Sequence, residues 1–233
     1  ATNCFDFEHP KNIGYSAGPD YNRYFKYYEH KDMLGAFEAI DRVEARFAEC
    51  FGRAYTGPIE AVSCDDAEAV LVTLGSIAGL ARESVARLRE QGKRVGLLRI
   101  RYMRPFPAKL IAEALAGAAA VGVLEKDISF GAEGTVFTNV NSALRQAGCM
   151  VPTFNFVGGL GGDDITSAQM DAMFDALLDA AAERSCDGAA SKRSCDDAST
   201  GQGAGLGRVS FLGIDFPVAS QPACGDDCEE GAR

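Results

Sequence analysis

The chain has 233 residues, 47% of them hydrophobic and 24% charged, so it can bury a full core as one domain or two small ones. A formal net charge of −10 argues against nucleic acid and anionic membrane as partners, because both need a basic footprint. There is no apolar run of membrane-spanning length and no signal-peptide pattern, so a soluble, cytoplasmic globular protein is expected.

In chain order, a polar lead-in, ATNCFDFEHPKN, precedes YNRYFKYY, which packs five aromatic residues into eight positions. A helical pattern follows, with Met33, Phe37, Ile40, Val43, Ala45 and Phe47. Residues 1–58 read as an arm and a linking helix that pack on the domain. The clustered Tyr and Phe also suit an interface segment, where such residues are enriched.

From residue 69 the pattern becomes regular. AVLVTLGS reads as a buried strand ending in a glycine turn, followed by a helix with Ile77, Leu80, Ala81, Val85 and Leu88 on one face and a stop at Gly92. VGLLRI is a second strand, RYMRPFP a loop, and AKLIAEALAG a helix stopped at Gly117. AAVGVL is a third strand. It is followed by the loop EKDISFGAEG and a helix with Val136, Phe137, Val140 and Leu144 on one face. TFNFV, the run GGLGGDD and a helix from about Thr166, with Met170, Met173, Phe174, Leu177 and Leu178, complete the series. Unbroken apolar strands alternating with helices predict an α/β fold, a three-layer α/β/α domain over 59–183 with a mainly parallel sheet. Residues 184–206 carry the near-repeat RSCDGAAS and RSCDDAS and predict a disordered, low-complexity insert. GRVSFLGIDF, at 207–216, could be a returning edge strand, and an acidic tail ends the chain at 233.

In such a sheet every loop that follows a strand gathers on one edge, where ligands and partners are met. Arg99, Arg101 and Arg104 are the sharpest polar candidates there. One could meet a carboxylate of a neighbouring domain or a coenzyme A phosphate, and solvated or intradomain ion pairs are at least an equal expectation for any one of them. Glu125, Asp127 and Glu133 precede a helix and suit N-terminal capping and dipole compensation, with Ser129 or Asp127 as local caps. Gly131, Gly134, Gly158, Gly159, Gly161 and Gly162 allow positive φ and close backbone approach. No G-x-G-x-x-G fingerprint or Walker loop occurs. His9 and His30 are the only histidines and lie near no candidate nucleophile, so a hydrolase of the Ser–His or Cys–His type is not expected. Of eight cysteines, Cys4, Cys50, Cys64 and Cys149 are scattered singly, and Cys186, Cys195, Cys224 and Cys228 lie toward the C-terminus without tight metal-ligand spacing. No metal centre is expected in this chain, and the expected set of catalytic residues is empty.

VLVTLGSIAG, RVGLLRIRYMRPFPAKLIAEAL, VGVLEKDISFGAEGTVFTNVNSAL and FNFVGGLGGDDIT together resemble the second domain of the alpha chain of 2-oxoacid:ferredoxin oxidoreductases, most closely the pyruvate enzymes. That domain is similar in turn to the C-terminal domain of transketolase-like thiamine enzymes. The resemblance implies oxidative decarboxylation of a 2-oxoacid, with thiamine diphosphate, Mg and iron–sulfur clusters in the complete enzyme, electron transfer to ferredoxin and acyl capture by coenzyme A. It implies no cofactor bound by this chain alone, because the thiamine-activating glutamate, the pyrophosphate motif and the cluster cysteines of the family find no match here. The chain is therefore expected to be an alpha subunit truncated at its N-terminus. Its expected partners are other domains or subunits of the oxidoreductase. Arg101, Arg104, Asp127, Ser129, Gly131, Glu133, Gly159 and Gly161 are its candidates for the interface or the coenzyme A side. A stand-alone coenzyme A or nucleotide-binding module and a structural interaction module remain the other readings.

Overall fold

The computed structural model describes residues 6–10, 16–55, 57–187 and 209–214. They divide into two units, Ala1–Tyr55 and Thr56–Arg233.

The first unit is built on one helix, α1 (Pro19–Phe51). Pro19 suits the first turn, where a missing N–H costs nothing. The helix stops at Gly52, whose φ of 65° is left-handed and whose N–H donates to the Ala48 carbonyl. The aromatic run at 21–28 lies inside this helix rather than in an arm before it. No Gly or Pro occurs between Asp20 and Leu34 to break the helix, and the propensity cost of aromatics is small. Near its end Phe47 meets Phe51 and Tyr55, with ring centroids 4.6 and 5.6 Å away, and the Arg53 guanidinium lies over the same ring.

The second unit runs β1 (Ile59–Val62), β2 (Ala69–Leu74), α2 (Ala78–Glu90), β3 (Val95–Ile100), α3 (Ala108–Leu115), β4 (Ala120–Glu125), α4 (Thr135–Gln146), β5 (Thr153–Val157), α5 (Ser167–Asp187) and β6 (Val209–Phe211). The sheet has the order β1-β3-β2-β4-β5-β6, and every pairing is parallel except β1 with β3. Alternate strand residues feed two cores. Val70, Val72, Leu98, Ile100, Val121 and Val123 pack with α3 and α4. Ala69, Leu71, Val95, Leu97, Ala120 and Leu124 pack with α2 and α5 on the other face. That two-sided burial is why the strands read as unbroken apolar runs.

The strand β1 was not among the expected elements. Four residues followed by the polar SCDDAE are too short to stand out, and only pairing with β3, from Ile59 opposite Ile100 to Val62 opposite Leu97, makes them a strand. Arg89 locks the connection that follows. Its Nε donates to the Val95 carbonyl, Nη2 to the Ser63 carbonyl at 2.7 Å, and the fork holds both Asp66 oxygens. α5 opens with a reciprocal capping box, in which Thr166 Oγ1 accepts from the Gln169 N–H and the Gln169 amide oxygen accepts from the Thr166 N–H. It continues to Asp187, so residues 184–187 are helical rather than part of the insert predicted from 184. The helical apolar pattern through Leu178 and Ala181 carries the backbone past the change in composition. The remainder of that insert and most of the tail lie outside the described residues. Of the stretch 207–216, residues 209–211 pair with β5, Asn155 opposite Val209 through Val157 opposite Phe211.

Candidate functional site

The first strand of the parallel set, β2, has β3 on one side and β4 on the other, so the chain reverses direction across the sheet between β3 and β4. The C-terminal ends of β2 and β4 therefore flank the topological switch point, the usual ligand crevice of an open α/β sheet. Gly75 and Ser76 follow β2, residues 101–107 follow β3, 126–134 follow β4 and 158–163 follow β5.

A buried polar network underlies the loop after β4. Glu125, the last residue of β4, is only 5% exposed. Its Oε2 accepts from the Val136 N–H at 2.7 Å, and its Oε1 accepts from the Phe137 N–H at 3.2 Å and from the Asn155 amide at 2.8 Å. Asn155, fully buried on β5, accepts the Gly134 N–H through Oδ1 at 2.8 Å. The N–H donors of Gly134, Val136 and Phe137 at the start of α4 are thus taken up by side chains from two strands rather than left for a ligand. Burial pushes the Glu125 carboxyl above its ordinary range, and the hydrogen bonds from Val136, Phe137 and Asn155 oppose that shift. Gly134 is part of the same design. Its backbone is ordinary, with φ of −70°, but a Cβ there would lie 2.1 Å from the Glu125 carboxyl carbon.

The expected caps are therefore corrected. Neither Asp127 nor Ser129 caps the backbone of α4. Asp127 accepts from the Thr135 hydroxyl at 2.6 Å, and Ser129 belongs to a turn in which the Ala132 N–H donates to the Ser129 carbonyl and the Ser129 N–H donates to the Glu133 carbonyl. Glu125 is not a loop acid but a strand residue beneath the loop. Gly131 sits third in that turn with φ of 81°, a left-handed conformation that favours glycine. Gly159 and Gly161 have φ of 69° and 64°, and the Lys126 side chain lies across Gly159, its Cε 2.7 Å from where a Cβ would stand. Gly134 and Gly158 have no positive φ; at Gly158 it is Leu212 that fills the space of a side chain.

The arginines are committed within the unit. Arg99 lies opposite Glu60 in the register of β3 and β1 and pairs with it at 3.4 Å, while Arg82 of α2 holds the other Glu60 oxygen at 2.7 Å. β3 ends at Ile100, one residue before Arg101. Arg101 donates to the Gly57 carbonyl through Nη1 at 2.7 Å and to the Pro58 carbonyl through its N–H at 2.8 Å, which anchors the entry to β1. Arg104 is exposed, bonds the Met103 carbonyl and lies 5.9 Å from the Phe106 ring centroid. Sheet order keeps Arg101 and Arg104 on the β3 side, away from Asp127, Ser129, Gly131, Glu133, Gly159 and Gly161 on the adjacent β4 and β5 loops.

Asn155 was not singled out in the sequence. The signal was present, as the polar residue of alternating TFNFV, but its partners lie 21 and 30 residues away and only the fold names them. Among the described residues, no group of three or more His, Cys, Asp or Glu side chains could hold a metal ion. Cys50, Cys64 and Cys149 are free thiols, and burial pushes Cys64 up to about 11. No described helix is long and apolar enough to cross a membrane.

Residues 67–170 match the family model described as pyruvate:ferredoxin oxidoreductase core domain II. The chain is 39% identical over 166 residues to pyruvate synthase subunit PorA of Methanothermobacter thermautotrophicus, covering 71% of this chain and 42% of that one. It is 36% identical over 168 residues to ketoisovalerate oxidoreductase subunit VorA of Pyrococcus abyssi, covering 72% and 42%. It is 34% identical over 155 residues to NADH-dependent phenylglyoxylate dehydrogenase subunit alpha of Aromatoleum evansii, covering 65% and 37%. A solved 2-oxoglutarate:ferredoxin oxidoreductase from Magnetococcus marinus aligns with 55% of this chain and 20% of its own, at 18% identity and a TM-score of 0.41. The chain spans about two fifths of the length of the curated relatives it matches.

Proposed function

We propose that the chain, whose residues 67–170 match the family model of pyruvate:ferredoxin oxidoreductase core domain II, is a supporting, non-catalytic domain of the alpha subunit of a thiamine-dependent pyruvate, or related 2-oxoacid, oxidoreductase that delivers electrons to ferredoxin. The observation that carries this reading is the 39% identity to a pyruvate synthase subunit over 166 residues, which takes in all the loops after β2 to β5. The chemistry of the sheet edge supports the supporting role. Glu125 is consumed in capping α4, Arg99 in pairing with Glu60 and Arg101 in anchoring Gly57 and Pro58.

Thiamine diphosphate would supply the carbanion-stabilising chemistry of decarboxylation, and iron–sulfur clusters the path for electrons. Among the described residues no three His, Cys, Asp or Glu side chains converge as metal donors and the described thiols stand singly, which is not the donor set of an iron–sulfur cluster. No step is therefore assigned to residues here. What the chain contributes is a rigid sheet edge, with the β4 and β5 loops pinned by buried Glu125 and Asn155, against which a neighbouring domain or subunit can seat. Arg104, Asp127, Ser129, Gly131, Glu133, Gly159 and Gly161 lie on its loops, and Arg101 flanks it at the β3 end.

The test is 2-oxoacid-dependent reduction of a viologen dye. The purified chain alone is expected to be inactive, and the complex that assembles with it active on pyruvate in the presence of coenzyme A. Turnover by the metal-free chain, or a complex inert toward every 2-oxoacid tried, would overturn the reading.

A further inference from the structure

The loop after β4 carries a side chain that none of the capping chemistry uses. Phe130 is 94% exposed, although a solvated Phe ring gains nothing for the folded chain. It occupies the second position of the Ser129–Ala132 turn, closed by the Ala132 N–H to Ser129 carbonyl bond at 2.8 Å and by Gly131 with φ of 81°. The turn is fastened outside itself as well. The Ser129 N–H reaches the Glu133 carbonyl, Asp127 holds the Thr135 hydroxyl, and the loop's two ends, Glu125 and Gly134, share one buried network with Asn155. The ring is thus held on a fixed pedestal before any partner arrives, and such preorganisation lowers the ordering cost of binding. On the adjacent β5 loop Leu160 is also exposed, at 43%.

The charges on these two neighbouring loops have one dominant sign. Asp127, Glu133, Asp163 and Asp164 stand against Lys126, while Arg101 and Arg104 lie two strands away on the β3 loop.

We propose that Phe130 is the anchor of a protein-docking surface, inserting into an apolar pocket that carries Lys and Arg on a partner polypeptide of the same oxidoreductase. The inference rests on the proposed subunit role and adds to it the contact residue and the chemistry of the partner. Aromatic anchors surrounded by polar rims dominate interface energetics, and opposite charge around them steers association. The acidic loops disfavour nucleic acid or an anionic bilayer as the occupant.

The experiment uses the complex purified from cells that express the tagged full chain, with the photo-crosslinker p-benzoylphenylalanine at position 130 or, as a control, at Met150, which is 63% exposed and lies before β5 at the opposite edge of the sheet. The expected result is a crosslink from position 130, mapped by mass spectrometry to a Lys- or Arg-flanked segment of a co-purifying subunit, and none to that segment from position 150. Phe130→Ala should weaken assembly about 30-fold or more, as removal of an interface hot spot does. Phe130→Tyr should retain assembly, and higher salt should weaken the parent complex. The melting temperature of the isolated chain should not move in either variant, which separates lost docking from lost folding. A complex that assembles with parent affinity carrying Phe130→Ala, or crosslinks from 130 only to lipid, nucleic acid or another copy of this chain, overturns the proposal. A complex that crosslinks as expected but oxidises no 2-oxoacid removes the enzymatic reading and leaves the docking surface standing.

Discussion

Gly134→Ala separates space from backbone conformation as the reason for a glycine. With φ of −70° and ψ of 159°, Gly134 has a backbone that any residue adopts, so conformational preference alone predicts a neutral or slightly stabilising change. Space predicts the opposite. The new methyl would stand 2.1 Å from the Glu125 carboxyl carbon and Oε1 and 2.6 Å from Oε2, so the carboxyl group must move by more than an ångström. That movement breaks its bonds to the Val136 N–H, the Phe137 N–H and the Asn155 amide. Each buried donor left without a partner costs about 1–3 kcal/mol. Partial relaxation and the small entropic gain of Ala leave a net loss of about 2–4 kcal/mol. For a domain of this size such a loss lowers the melting temperature by about 5–15 °C. The assay is urea unfolding of the full chain followed by far-ultraviolet circular dichroism, with Gly131→Ala as comparison. Gly131 has φ of 81° and nothing within 4 Å of its missing side chain, so its substitution should cost only the left-handed penalty of about 1–2 kcal/mol. A Gly134→Ala stability within about 0.5 kcal/mol of the parent, or a greater loss at Gly131, would refute the reasoning.

Three further outcomes are expected. Burial raises the Glu125 carboxyl, so its folded state favours the proton: the stabilisation that this proton brings is fully present below the unfolded carboxyl range and is lost as pH rises through the folded value. Glu125→Gln cannot titrate, so the parent's stability relative to that variant should be greatest in acid and shrink with rising pH in parallel urea melts; a constant difference would refute the assignment. Arg89→Lys keeps the charge but loses the planar fork that holds Ser63, Val95 and Asp66 together, and should cost about 1–3 kcal/mol in the same melts. Cys64, buried and pushed up to about 11, should resist iodoacetamide at pH 8 while exposed Cys50 is alkylated, as read by peptide mass mapping of the native chain.

Much of the architecture was legible because burial on both faces writes itself into a strand as an unbroken apolar run, and a covering helix writes itself as a stripe. AVLVTL, VGLLRI, AAVGVL and TFNFV needed no partner to be recognised as strands, and fixed order along the chain made the α/β class follow. The glycines at 131, 159 and 161 were equally legible, since positive φ is a demand of the local chain. The strand at 59–62 was not, because four residues become a strand only through the bonds of β3. Glu125 showed the same limit more sharply. Its type and its place before a helix pointed to capping, but its last-in-strand position buries it, and it is the fold that brings Asn155 from β5 and Gly134 from the loop into the same network. For Arg99 and Arg101 the sequence left an outside partner and an intradomain one both open until the sheet set Glu60, Gly57 and Pro58 beside them. What the sequence determined by itself were the properties carried by consecutive residues: periodicity, turn conformation, net charge and family resemblance. Which polar groups are consumed in the fold, and which apolar side chains, like Phe130, are left facing outward, was decided only by tertiary structure, because burial and hydrogen bonding depend on groups that lie tens of residues apart.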